Sequence, residues 1–143
     1  MQPILFDTSV YIHDLRAKGD RVLSARFLQA GVPVWLSAVV LEELLAGASE
    51  RERRPVERLE RDFQRLGRIV IPTLDDCTKA GKMLSEFGSK FGYEAIGRGR
   101  LTNDTLIAIS SRRLGITVVT ANPRDFERLA RIRSFSWQMA GVQ

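Results

Sequence analysis

Short apolar runs, each followed by a helix start or a turn, recur along this chain and limit its possible folds more than any other feature. Ile4-Leu5-Phe6 stops at Asp7-Thr8-Ser9, and Val32-Pro33-Val34-Trp35-Leu36 stops at Ser37. Arg68-Ile69-Val70-Ile71 stops at Pro72, and Ile116-Thr117-Val118-Val119 is followed by Asn122-Pro123. Apolar runs of this length, bounded by turn and cap residues, read as strands. Helical spacing lies between them, so the strands pair in parallel through crossovers, and a parallel sheet is covered on both faces. The pattern predicts an α/β fold with a central, mainly parallel sheet. In such sheets ligands sit beyond the carboxyl ends of the strands, so acids at those ends are the first candidates for chemistry.

The intervening segments read as helices. Val22, Leu23, Phe27 and Leu28 have helical spacing and stop at Gly31. Ser37 caps a helix over about Ala38 to Ala46 that is apolar nearly all round, and Gly47 ends it. From Ser49 to Gly67 the charge is mixed. Pro55 suits the first turn of a helix whose apolar stripe is Val56, Leu59, Phe63 and Leu66, with Glu57 and Arg61 as an i,i+4 pair. Asp75 or Asp76 caps the next helix, which carries Ala80, Met83, Leu84 and Phe87. Residues 88 to 100 hold four glycines, read as a loop and are expected to be mobile. Thr102 or Asn103 caps a helix reaching about Leu114, Asn122-Pro123 starts another, and Phe135-Ser136-Trp137 reads as a final edge strand.

At 143 residues and 44% hydrophobic, the chain suits one domain over residues 1–143. Its most apolar stretch, Val32 to Leu41, falls short of the roughly 20 residues a membrane span needs. Met1-Gln2-Pro3 lacks the basic segment of a secretory signal, so a cytoplasmic location is expected. One cysteine, Cys77, and one histidine, His13, exclude an internal disulfide framework and a Cys/His zinc site, leaving oxygen to hold any metal. The net charge of +5 favours an anionic partner. Of the 22 basic residues only four are lysine; arginine's planar fork suits phosphate, although a GC-rich coding bias gives the same excess.

Three acids stand where the fold would place a site. Asp7 follows the first strand, and Asp104 opens the helix after the glycine-rich loop. Glu43 shares a helix side with Val39, Val40 and Gly47, where a carboxylate is costly without a cation or a donor. Glu42 lies about 100° away, on the less apolar side. Each acid also has a structural reading: Asp7 as a helix cap, Asp104 as a complement to a helix dipole, Glu43 as a surface residue. A site made only of carboxylates suits a hard ion such as Mg²⁺ or Mn²⁺.

Four blocks in order, Asp7-Thr8-Ser9, Glu43-Leu44-Leu45-Ala46-Gly47, Asp104-Thr105-Leu106-Ile107-Ala108 and Thr120-Ala121-Asn122-Pro123-Arg124-Asp125-Phe126, resemble those of the PIN domain, most closely the VapC-type toxins of toxin–antitoxin pairs. The resemblance implies an α/β/α sandwich, a Mg²⁺- or Mn²⁺-dependent endoribonuclease acting on RNA, a homodimer, and a cognate antitoxin as partner. It carries Asp7, Glu43 and Asp104 over as metal-binding catalytic acids. At the fourth position many PIN domains have Asp where this chain has Asn122, and Asp125 is the candidate to supply the missing charge. Asn122-Pro123 is equally a helix cap with Asp125 near its dipole. Thr8, Ser9 and Thr120 can orient acids or water, or serve as turn hydroxyls. Arg98, Arg100, Arg112, Arg113 and Arg124 are the candidates to hold the RNA backbone. The Arg51 to Arg68 segment reads as a solvated face or a partner surface.

A haloacid-dehalogenase-like phosphatase needs a second Asp at position 9, which is Ser9, and no phosphate-binding P-loop is present. The remaining rivals are a PIN-like module that binds RNA or protein without cutting, and a general RNA-processing nuclease.

Overall fold

In the computed structural model, which describes residues 1–16, 30–97 and 100–141, five parallel strands run in the order β3-β2-β1-β4-β5. They are β1 (Ile4–Phe6), β2 (Val34–Ser37), β3 (Ile69–Val70), β4 (Thr117–Thr120) and β5 (Trp137–Met139). Helices α1 (Thr8–Arg16), α2 (Ala38–Gly47), α3 (Glu50–Leu66), α4 (Leu74–Phe91), α5 (Glu94–Gly97), α6 (Arg100–Arg113) and α7 (Pro123–Ile132) occupy the connections. The expected α/β sheet is therefore present, and it is wholly parallel.

The strand order explains where a site must lie. The chain builds outward from β1 through β2 to β3, then returns to the other side of β1 for β4 and β5. Neighbouring connections diverge between β1 and β4, leaving a crevice beyond their carboxyl ends. Register places Ile4, Leu5 and Phe6 beside Thr117, Val118 and Val119, so the next residues, Asp7 and Thr120, meet at the lip of that crevice.

Both faces of the sheet are buried, as side-chain alternation along a covered parallel strand requires. Leu5 and Val118 belong to one core cluster with Leu36, Val40, Ile107 and Phe126. Ile4, Phe6 and Val119 belong to another with Val10 and Ala140. A third cluster, Met83, Phe87, Leu101, Ile109 and Leu129, joins α4, α6 and α7. No described helix is long and apolar enough to cross a membrane.

Several boundaries depart from the sequence reading. Helix α3 begins five residues before Pro55, because Ser49 and Glu52 form a capping box in which the Ser49 amide donates to Glu52 Oε1 at 3.0 Å. Pro55 is therefore inside the helix. Glu57 and Arg61 form no ion pair within 4.0 Å among the described residues. Thr73, and not Asp75 or Asp76, caps α4: its Oγ1 accepts from the Asp76 amide at 3.1 Å while Asp76 Oδ2 accepts from the Thr73 amide at 2.9 Å. Of the stretch expected to be a loop, residues 88 to 97 are largely helical, with α4 continuing to Phe91 and α5 following Gly92, whose φ of 98° lets the chain turn between them. The final edge strand forms two residues later than expected. The helix expected over residues 22–28 lies outside the described residues.

Candidate active site

Asp7 is 4% exposed, and both its carboxyl oxygens are engaged. Ser9 Oγ donates to Oδ1 at 2.5 Å, and Thr120 Oγ1 donates to Oδ2 at 2.7 Å. The Val10 amide reaches Oδ1 at only 3.4 Å, so the capping contact with α1 is the weakest of the three. Burial pushes the Asp7 carboxyl above its ordinary range, opposed by hydrogen bonds from Ser9, Thr120 and Val10. A buried carboxylate held from both sides, at the end of a central strand, has little freedom to rotate.

Two more links tie β1 to β4. The Ala121 amide donates to Ser9 Oγ at 3.0 Å, and the Asn122 amide donates to Thr120 Oγ1 at 2.9 Å. Each hydroxyl thus accepts from backbone while donating to Asp7, which fixes the direction of its proton. Of the hydroxyls singled out in the sequence, Ser9 and Thr120 orient Asp7, and the third, Thr8, donates to Glu43 Oε1 at 2.7 Å.

That bond places Glu43 on the same lip. Helix α2 starts immediately after β2, where Ser37 Oγ accepts from the Val39 amide at 3.1 Å, and Glu43 follows one and a half turns later. Glu43 is half-buried while Glu42 is exposed, as the helix-face argument separated them.

Asp104 is the acid that reports on all the others. It is not in the first turn of its helix, as expected from a cap at Thr102 or Asn103, because α6 already begins at Arg100. One turn inside the helix it gains little from the dipole, so that reading of Asp104 loses its basis. Burial, then the negative charges of Asp7, Glu43 and Asp125, push its carboxyl up to about 8, with Arg100 pulling the other way. Four acids from four separate segments therefore share one electrostatic neighbourhood. No three of them are yet gathered as a closed metal cage among the described residues.

The fourth acid is the most ambiguous. Asp125 sits in the first turn of α7, and Arg128 Nη2 holds its Oδ1 at 2.6 Å. Asn122 is exposed at the start of α7, and its side chain makes no capping bond. Its amide, not its carboxamide, is tied to the site through Thr120.

The five arginines separate. Arg100 stands close enough to act on Asp104, and Arg124 is exposed in the first turn of α7 beside Asp125. Arg98 lies outside the described residues. Arg112 and Arg113 end α6, roughly 12 Å or more along the axis from Asp104 and toward the amino end of β4, away from the crevice. Arg113 is committed elsewhere, its Nε donating to both oxygens of buried Asp76 at 3.1 and 3.0 Å and its Nη2 to the Ile71 carbonyl at 3.3 Å. These contacts give Arg113 a structural role that the expected part in holding RNA did not include. The sequence held no signal for this, because Asp76 and Arg113 are 37 residues apart. Arg128, by contrast, carries a local signal in its i,i+3 spacing from Asp125.

Comparison with known proteins follows the same lines. A model of the PIN domain family matches residues 4–132. The chain is 32% identical over 141 residues to a protein named ribonuclease VapC2 of Haemophilus influenzae, covering 96% of this chain and 99% of that one. It is 29% identical over 139 residues to the tRNA(fMet)-specific endonuclease VapC of Shigella flexneri, covering 96% and 99%. Among solved structures, DNA-bound VapBC from Salmonella typhimurium superposes with a TM-score of 0.70 at 24% identity, covering 97% of this chain and 98% of that chain. VapBC-1 from nontypeable Haemophilus influenzae gives 0.66 at 22%, covering 96% and 98%, and both likenesses are of fold.

Proposed function

The chain belongs to the PIN-domain family, and on that premise we propose that it is an endoribonuclease dependent on a divalent metal, acting as the toxin of a toxin–antitoxin pair. The observation that carries the reading is the convergence of Asp7, Glu43, Asp104 and Asp125 on one lip of the sheet, close enough for Asp104 to feel the other three. The relatives named ribonuclease and endonuclease VapC support the reaction class, and the VapBC complexes support an antitoxin as partner. A cytoplasmic, homodimeric protein of one domain completes the reading.

The donor set fits a hard divalent ion such as Mg²⁺ or Mn²⁺: it is all carboxylate oxygen, and its acids stay charged together only at a cost. Asp7, Glu43 and Asp104 would hold the ion, with Asp125 as a fourth contributor. When bound, the ion supplies positive charge against a phosphodiester and acidifies water beside it. The chain's own residues prepare for this. Ser9 and Thr120 fix both Asp7 oxygens, and Thr8 fixes one of Glu43, so two acids are oriented before any ligand arrives. Asp104 retains a proton at neutral pH in the metal-free chain and must release it to become a ligand. Arg100 and Arg124 flank the acids and offer charge to the RNA backbone on either side.

The test is cleavage of RNA by the parent with Mg²⁺ or Mn²⁺, with EDTA, and by the Asp7→Asn variant. Cleavage should need the metal and fall by orders of magnitude in a folded Asn variant; a variant as fast as the parent would exclude this site.

A further inference from the structure

Helix α3 carries five of its six arginines on one side. Arg51, Arg54, Arg58, Arg61 and Arg65 follow one another at intervals of three and four residues, and all five are exposed. At about 100° per residue they fall within roughly 80° of one another around the helix and extend about 21 Å along it. Val56, Leu59 and Phe63, which pack into the core, lie on the far side of the same helix. The helix was therefore oriented by its apolar residues, and that orientation turns the arginines outward.

Acids are available to neutralise this row. Glu50 and Asp62 lie one turn from Arg54 and Arg58, and Glu57 one turn from Arg61, yet none of the five arginines forms an ion pair within 4.0 Å among the described residues. Elsewhere in the chain such pairs do form, as between Asp75 and Lys79 at 2.9 Å and between Asp125 and Arg128. The row also follows the site's second acid closely along the chain. Helix α3 begins three residues after α2 ends, and Glu43 is one turn from the end of α2.

We propose that the α3 arginine row is a docking track for the sugar–phosphate backbone of single-stranded RNA, holding the part of the substrate that extends beyond the acidic centre. The inference rests on the reading of the chain as a ribonuclease and adds where a long substrate is held. A row of outward guanidiniums with free donors suits a repeating anion, which each can contact bidentately. Such contact is sequence-independent, so it contributes affinity and not the choice of cleavage site.

The experiment uses the full chain carrying Asp7→Asn, without metal, and a short fluorescein-labelled oligo(A) RNA, with binding followed by anisotropy across a salt series. Two triple variants are compared in that background: Arg54→Gln, Arg58→Gln, Arg61→Gln on the row, and Lys79→Gln, Lys82→Gln, Lys90→Gln on α4. Both remove three charges, so a net-charge effect moves them equally, and thermal melts establish that both are folded. The row variant should bind about tenfold or more weakly near 0.1 M salt, with the slope of log K against log salt shallower by about 2, as loss of three single-strand phosphate contacts requires. The α4 variant should change far less. Equal affinity and slope in the two triples, or a parent slope that the row variant retains, would overturn the proposal, as would binding of an acidic protein at the row with RNA binding intact. Cleavage by the unmutated parent is measured separately, so a chain that cuts RNA but fails the salt test loses only the track.

Discussion

Thr120, at the end of β4, donates to Asp7, at the end of β1, across the point where the two halves of the sheet diverge, at 2.7 Å and with both residues buried. The same oxygen accepts from the Asn122 amide, so one hydroxyl orients the central acid and anchors the turn into α7.

Thr120→Val keeps the shape and removes both bonds. Outer-shell partners of metal ligands typically matter by 10- to 100-fold, so metal-dependent cleavage and calorimetric Mn²⁺ affinity should both fall within about that range. Thr120→Ser, which keeps the hydroxyl, should recover most of the loss. Equal behaviour of the Val and Ser variants would show that the bond does not govern the site.

Asp104 predicts a pH dependence of stability in the metal-free chain. Its carboxyl stands at about 8 in the folded protein, while an unfolded Asp titrates near ~3.9. Between those values the folded state holds a proton that the unfolded state has released, so the unfolding free energy falls as pH rises. The contribution is fully present below about pH 4 and is lost progressively towards pH 8. Melting in EDTA should therefore occur at a lower temperature at pH 8 than at pH 5, and Asp104→Asn should flatten that difference. Mg²⁺ should restore stability most at the higher pH, where the ion no longer competes with the proton. An Asn variant with the parent's slope would assign the effect to another group.

The strands and the acids were legible in the sequence for different reasons. A buried parallel strand is a local signal, visible in four apolar runs, and the carboxyl-end rule then converts strand ends into candidate site positions. Glu43 could be told from Glu42 because a helix face is also local, and the structure gives it the Thr8 hydroxyl as the donor that such a face demands. What failed was either cap chemistry or distance in sequence. The capping box at Ser49 and Glu52 is a local signal that Pro55, a common first-turn residue, masks, and the aspartates at 75 and 76 mask Thr73 in the same way. Arg113 looked like any exposed arginine near the end of a helix; only the folded chain brings it to Asp76.

Arg113 and Arg100 should therefore behave oppositely. Asp76 is 1% exposed and completes the capping box that Thr73 opens on α4, so Arg113→Leu leaves a buried carboxylate without its cation. Breaking a fully buried pair costs about 3–5 kcal/mol, and with Arg113 partly exposed the lower end applies, giving a drop in melting temperature of roughly 10 °C. RNA affinity should stay near that of the parent. Arg100→Gln should leave melting nearly unchanged and weaken RNA binding by severalfold. Thermal melts and anisotropy on both variants check this, and a stable Arg113→Leu that loses RNA binding would return Arg113 to the substrate side.

The last prediction concerns how far Asp125 substitutes for the acid missing at Asn122. Its carboxylate is already met by Arg128 at 2.6 Å, and the guanidinium lies over the rings of Phe87 and Phe91, at 5.1 and 5.6 Å from their centroids. Stacking of this kind fixes the plane of the guanidinium and with it the direction in which Asp125 is held. In the parent, Asp125 thus spends much of its charge on Arg128, and Asp125→Asn should lower Mn²⁺ affinity far less than Asp7→Asn does. With Arg128→Leu in place the carboxylate is released towards Asp104, and the same Asp125→Asn change should cost about tenfold more than it does in the parent. That difference is the coupling free energy of the cycle, about 1.4 kcal/mol, well within the range for residues in contact. An Asp125→Asn effect as large as that of Asp7→Asn, in the presence of Arg128, would show instead that the ion draws Asp125 away from its arginine and uses it as a full ligand.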